Sequence, residues 1–432
     1  MRDALLIVQQ VDAATGRSRP VPVDALPEPV TAEEAGLMVG SPPPPDRLVN
    51  RGNWLAWPHV RWSLTHVDEL GPSARIERSR GPVWELPRAT PADTGLDLDG
   101  LLVEGHHGEV WTLDEMLYRT YTDAFLVVHR GQVVVERYFN GMGPATRHAM
   151  FSMTKTVTGV LALMAIEDGA MGLGDLLVDH VPELAGTAWE PVAVEHALDM
   201  TDGVRFVEDY SDPDSDIMRY SAAVGFSHPP RNPEVADNIH DALRTFTERD
   251  TRSGETFLYK SAATDALAWA VARATGGRWP DQVAERIWQP MGAEHDAAVF
   301  LDQRGLAVSC GGMSATAADL ARFGLLLGGS GRAGDRQVLP AAVADDIARG
   351  GEPDPEGLGG YATRAGWSFH RQCWNMSHLM GAFMPMGVHG QRILIHPGRE
   401  LVVVKLGSHP VTGNVVTDET HASLWQGLLE RC

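Results

Sequence analysis

Two β-hairpin patterns, far apart in the chain, restrict its fold more than any other feature. The first is Ala124–His129 and Gln132–Tyr138, β-branched runs around the turn Arg130-Gly131. The second is Arg392–His396 and Leu401–Leu406 around Pro397-Gly398-Arg399-Glu400. Between them the period changes. Thr156–Asp168 sets Val157, Val160, Leu161, Met164 and Ala165 at helical spacing and stops at Gly169, and Thr264–Ala274 does the same before Gly276-Gly277. A closing helix is predicted around Ala422–Leu429. Hairpins at both ends with helices between them predict one antiparallel sheet built from distant segments, flanked by helices and interrupted by a helical insertion. With 432 residues the chain exceeds the roughly 250–300 at which single cores stop growing, so two lobes are expected.

Residues 1–115 lack such a period. They carry the breaker run Gly40-Ser41-Pro42-Pro43-Pro44-Pro45 and three tryptophans, Trp54, Trp57 and Trp62. A proline run alone reads as a linker. The tryptophans need cover, so this stretch is expected to be an irregular arm packed on the body of the protein.

Three short motifs carry chemistry. In Ser152-Met153-Thr154-Lys155, the hydroxyl and the amine stand at i and i+3, which share one face of a helix. A serine hydroxyl needs a neighbouring base to become a nucleophile. Lysine serves when neutral, and partial burial is expected to lower its pKa toward that state. Backbone N–H groups at the helix start would face a developing oxyanion. Alone the motif is weak, because most such pairs are exposed helix faces. Here a hairpin precedes it and a long apolar helix follows. In Tyr259-Lys260-Ser261, the tyrosine and serine point the same way if the segment is extended, and the tyrosine could pass a proton to a leaving group. Taken singly, Tyr259 reads as one more buried tyrosine with a satisfied hydroxyl. In Pro385-Met386-Gly387-Val388-His389-Gly390-Gln391, a glycine at a strand edge allows close approach to the backbone, and the Val388 N–H becomes a candidate oxyanion donor.

The order and spacing of S-x-x-K, Y-x-S and a glycine-bearing strand resemble the serine β-lactamases, the penicillin-binding proteins and their esterase relatives. The chain is most similar to the branch of 6-aminohexanoate-dimer (nylon-oligomer) hydrolases and carboxylesterases. The similar stretches run from Thr120 to Leu406 and include Thr120–Val127, Val181–Gly186, Glu208–Pro213, Thr264–Trp269, Asp319–Arg322 and His389–Gln391.

The resemblance implies a β-lactamase-like fold, α/β plus all-α. Residues 116–171 and 292–432 would form the α/β domain, 172–291 the inserted helical domain, and 1–115 an arm packed on the former, with the active-site cleft between the domains. It also implies roles. Ser152 would be acylated, Lys155 would take its proton, Tyr259 would protonate the leaving group, and the N–H groups of Ser152 and Val388 would form the oxyanion hole. Tyr210, Ser221, Phe226, Ser261, Trp374, Gly387 and His389 are the expected substrate-contacting set, with Trp374 walling the pocket.

Two departures bear on substrate. Penicillin-binding members start the third motif with a cation, where this chain has Pro385. The acid that would hold an ammonium end in the nylon-oligomer branch is missing from Tyr220-Ser221-Ala222-Ala223. A cleft without a charge partner at either place should favour neutral esters.

The reading is therefore a serine hydrolase acting on a small ester, or less readily an amide. A transacylase passing the acyl group to an amine without ATP is the close alternative, because water and amine attack the same intermediate. A non-catalytic sensor acylated once is a third reading, disfavoured by the intact set Ser152, Lys155 and Tyr259. The expected partner is a small-molecule acyl substrate, with no cofactor and no metal; the oligomeric state is left open. Asp212, Asp214 and Asp216 imitate a calcium loop, but Ile217 stands at its glycine position and Ala223 at its closing glutamate. His106, His107 and Glu109 have no further ligand at metal spacing. A formal charge of −21, with 57 acids against 36 bases, speaks against nucleic acid and anionic membranes. Met1–Val8 has an apolar run too short for a secretory segment, and Cys310, Cys373 and Cys432 are odd in number and scattered, so a reduced, cytoplasmic protein is expected.

Overall fold

A computed structural model describes the chain except for residues 1–6, 12–17, 23–25, 91, 92, 94, 97, 99, 106, 107, 211, 213, 227–235 and 359–361. His106 and His107, and the first six residues of the N-terminal run, thus lie outside the described residues. The two predicted hairpins are present and are joined. Leu401–Gly407 pairs with Gln391–His396 on one side and with Thr122–His129 on the other, and Thr122–His129 pairs with Gln132–Tyr138. Ser368–His370, Cys373–Met376 and Ala382–Met384 extend this antiparallel sheet beyond Gln391–His396, and Met386–Gly387 pairs with that same strand.

The central strands are buried on both faces, which explains why Phe125, Leu126, Val127 and Val128 read as a continuous apolar run. The helix Ala317–Gly328 covers one face. Its Gly324 allows the approach, because a Cβ there would lie 2.6 Å from Val402 Cγ1. The closing helix is longer than the sequence indicates, Val415–Leu429, and its Asp418 pairs with the buried Arg392 at 2.8 Å. Its N-terminal half was hidden because Val415, Val416 and Thr417 are weak helix formers.

Between Gly172 and Met291 the named elements of the described residues are all helical. The longest, Ser261–Thr275, lies against Met153–Glu167. Met153–Ala165 and Ser261–Val271 are buried on every side, so an amphipathic stripe is weak in each.

The N-terminal arm is less irregular than its sequence implies. Ser73–Ile76 pairs with Ala297–Phe300 at the edge of a second sheet, and Leu102–Glu104 pairs with Val110–Thr112. Elements of three or four residues are fixed by tertiary pairing and leave no periodic trace. Arg61 ties the arm to the main sheet: its Nη1 donates to Asp123 Oδ1 at 3.0 Å, Ser408 Oγ at 2.8 Å and the Tyr121 carbonyl at 3.1 Å. No helix among the described residues is long and apolar enough to cross a membrane.

Candidate active site

Ser152 is the N-cap of the buried helix Met153–Glu167, and its N–H therefore has no acceptor within that helix. The chain enters through Phe151 at φ 45°, a left-handed conformation that a bulky residue adopts only when its surroundings hold it there. Phe151 is gripped by rings on two sides, Trp54 at 6.0 Å and His389 at 5.5 Å. The helix is pressed against the sheet region at Gly159, where a Cβ would sit 2.7 Å from the Arg371 carbonyl. The first turn of this helix is thus held from both ends.

Lys155 is buried, one turn on. Its Nζ donates to Ser152 Oγ at 3.0 Å, Ser261 Oγ at 3.1 Å and the Cys310 carbonyl at 2.7 Å. Asp265 holds the turn that presents this carbonyl, accepting from Ser309 Oγ at 2.5 Å and the Cys310 N–H at 2.9 Å. The expected depression of the Lys155 pKa is not found. Burial is the largest influence and works downward, but Tyr259, Cys310, Glu208 and Asp265 together outweigh it and leave the amine above its ordinary value. At rest Lys155 is an ammonium that donates to the serine.

The segment before Ser261 is extended (Lys260 φ −152°, ψ 126°), so its side chains alternate as anticipated. Lys260 turns away to Asp202 Oδ1 at 2.8 Å, while Ser261 and Tyr259 face Lys155. The Tyr259 hydroxyl bonds to Ser152 and Lys155; burial raises its pKa, with Lys155 pulling the other way, and the net shift is upward. The phenol is protonated at rest. Trp374 stacks on Tyr259 at 5.4 Å, with the Arg364 guanidinium 4.3 Å from the Trp374 ring centroid.

The sequence reading missed Glu208. Its carboxylate accepts from the Ser261 N–H at 2.7 Å, Ser261 Oγ at 3.0 Å and the Tyr210 hydroxyl at 2.8 Å. Burial raises its pKa, and Lys155 and these donors offset that only in part. Ser261 is therefore the middle of a chain from Lys155 to Glu208. Glu208 and Tyr210 are two apart in a non-helical segment, a spacing that could have pointed to Glu208 as Tyr210's companion.

These groups open on a cavity of about 890 Å³, counting its open mouth. Ser152, Lys155, Ser261, Val388 and His389 line it, as do Tyr210, Ser221 and Phe226. Two expectations are corrected. Trp374 does not line the cavity, because it is packed behind Tyr259 among Phe257 and Phe369. Gly387 does not line it either; it permits contact of two segments, since a Cβ there would lie 2.3 Å from the Met150 carbonyl. Arg51 of the N-terminal arm, which the sequence reading did not single out, lines the cavity with Trp54 and Leu55.

His389 offers no cation in compensation for Pro385: burial holds its pKa down at about 4, and its Nδ1 is engaged with the His409 carbonyl at 2.8 Å. In the acidic loop, Asp212 accepts from the Asp214 N–H, and Asp216 accepts from the Val207 N–H and pairs with Arg219. Those are local loop contacts.

Residues 113–423 match the Beta-lactamase family. The chain is 33% identical to the 6-aminohexanoate-dimer hydrolase of Paenarthrobacter ureafaciens over 83% of its own length and 88% of that protein. A Bacillus anthracis structure, provisionally described as a 6-aminohexanoate-dimer hydrolase, superposes with a TM-score of 0.79 at 29% identity, covering 90% of this chain and 97% of that one. A penicillin-binding protein homologue from Caulobacter crescentus shares the fold (TM-score 0.53, 17% identity, 72% of this chain and 96% of that one). The chain belongs to the beta-lactamase family of serine hydrolases and is a homologue of the 6-aminohexanoate-dimer hydrolases.

Proposed function

We propose that this protein hydrolyses small esters, and amides less readily, through a covalent acyl-enzyme on Ser152. The observation that carries the reading is the threefold donation of Lys155 to Ser152, Ser261 and the Cys310 carbonyl at the floor of an apolar cleft. Ser152 Oγ attacks the carbonyl carbon, and its proton leaves to Lys155 once that amine is neutral. Neutral lysine arises along Nζ–H···Oγ–H···Oε1: a Lys155 proton passes to Ser261, whose own proton passes to Glu208. The negative charge on the carbonyl oxygen is met by the N–H groups of Ser152 and Val388. Tyr259 gives its proton to the departing oxygen or nitrogen and recovers one from Lys155. Water then attacks the acyl-enzyme, releasing the acid and restoring Ser152.

Esters stand first because an alkoxide departs with little help, whereas an amine must be protonated as the bond breaks. The test is a panel of nitrophenyl esters and matched anilides, with and without added amine, analysed for acid and amide products. The reading expects ester turnover with acid as the main product. Anilide turnover exceeding ester turnover would contradict it, and amide as the main product would assign the acceptor role to the amine.

A further inference from the structure

Arg51 lies about a hundred residues before Ser152 and reaches the same cavity from the N-terminal arm. Its Nε donates to the Gly225 carbonyl at 3.0 Å and its Nη2 to the same oxygen; its Cζ is 5.5 Å from the Phe300 ring centroid. One carbonyl oxygen thus engages two of its five N–H donors. No carboxylate lies within salt-bridge distance of it among the described residues, and none of the described cavity-lining residues is an aspartate or glutamate. Burial lowers its pKa, and no acid among the described residues compensates. A guanidinium taken partly out of water without a counter-ion is costly unless a ligand supplies one. A clamp on Gly225 would need only a neutral donor.

Ser152 and Val388, the acylation site and oxyanion donor, line the same cavity as Arg51, so a chain attached to the acylated carbonyl can extend into it. Trp54, Leu55, Ile217, Met218, Val224 and Phe226 give that lining an apolar part suited to an aliphatic chain.

We propose that Arg51 anchors a carboxylate at the far end of the acyl chain, so that the favoured substrates are esters or amides of aliphatic dicarboxylic acids carrying one free carboxylate. This assignment rests on the acyl-enzyme reading of Ser152. It replaces the expectation that neutral esters are favoured. A planar guanidinium receives a carboxylate through paired N–H···O bonds. An ammonium-ended chain would meet a like charge there.

Three nitrophenyl esters with the same six-carbon acyl chain, ending in carboxylate, methyl or ammonium, test the proposal on the full-length protein. The wild type should prefer carboxylate over methyl in kcat/KM by at least about tenfold, and over ammonium by more. Arg51→Gln should reduce the carboxylate-to-methyl ratio by about tenfold, and Arg51→Glu should reverse the carboxylate-to-ammonium order. The ratio is taken within each variant, so a general loss of activity does not affect it. Binding separates the two claims. The Ser152→Ala protein should bind the carboxylate-ended monoamide more tightly than hexanamide by calorimetry, and adding Arg51→Gln should erase the difference. If that preference stands while no ester is turned over, the acyl-enzyme reading falls and the Arg51 assignment holds. Turnover with a carboxylate-to-methyl ratio near one, or unchanged in Arg51→Gln, overturns the assignment.

Discussion

Lys155 is the residue whose state decides how this site works. Three acceptors and the surrounding groups keep it charged, so the proton it must shed needs a destination, and Glu208 is the carboxylate joined to it through one hydroxyl. A carboxylate with a raised pKa is a better proton acceptor, but only while ionised. As pH falls through that raised value the destination closes, so kcat/KM should decline on an acid limb lying above the ordinary glutamate value of about 4.3. Glu208→Gln should lower kcat by about a hundredfold and remove that limb, with KM little changed. A pH–rate profile of both proteins checks this; an acid limb retained in the glutamine variant would assign it to another group. Ser152, Lys155 and Tyr259 were legible because each sits in a short motif with fixed spacing. Arg51 was not, because it becomes part of the site only when distant segments are folded together, and no local pattern marks an arginine on an arm as facing a cleft; Glu208 had only its spacing from Tyr210 as a signal.

At the scale of elements, hairpins and long helices were visible in sequence because hydrogen-bonding geometry imposes a period on them. Boundaries were less so: the helix begins at Met153, three residues before its apolar period becomes evident, because Thr154 and Lys155 face polar partners inside the protein. The short strand Met386–Gly387 is a contact surface as much as a strand. Its glycine admits the Met150 carbonyl, and that contact sets the strand beside the start of the Ser152 helix. The backbone at Gly387 is extended (φ −131°), so an alanine there is strained by space alone. Gly387→Ala should push the strand from the helix and misplace the Val388 N–H relative to Ser152. The expected result is a fall in kcat of about a hundredfold or more, with KM less affected and circular dichroism unchanged. Full activity in the alanine variant would show that the two segments can separate without cost to the chemistry.

Across the whole molecule, the arm, the first hairpin and the last strand of the main sheet meet at one buried carboxylate, Asp123. It pairs with Arg61 at 3.0 Å and His148 at 3.0 Å, and accepts from Ser408 Oγ at 2.5 Å. Burial, the largest influence, raises its pKa, but Arg61, His148 and Ser408 together lower it below the ordinary aspartate value. A lowered folded pKa gives stability that is fully present above the unfolded value of about 3.9 and lost as pH falls through the folded one. Asp123→Ala leaves Arg61 buried without its partner and should cost about 3–5 kcal/mol. Denaturant unfolding at neutral pH measures that loss, and repeating it toward pH 3 should bring the two proteins closer together. A constant difference across that range would place the pH dependence elsewhere. The arm thus belongs to the folded body and supplies Arg51 and Trp54 to the cleft, a role its proline-rich sequence concealed.

The claim beneath all of this is that Ser152 becomes covalently acylated. Mixing the protein with a nitrophenyl ester, quenching in acid at short times and measuring the intact mass tests it directly. The account predicts a transient gain equal to the acyl group, located by peptide mapping on Ser152 and absent from Ser152→Ala, whose turnover should fall below about a hundredth of wild type. An adduct on another residue, or turnover in the alanine variant above that level with no adduct in the wild type, would contradict it.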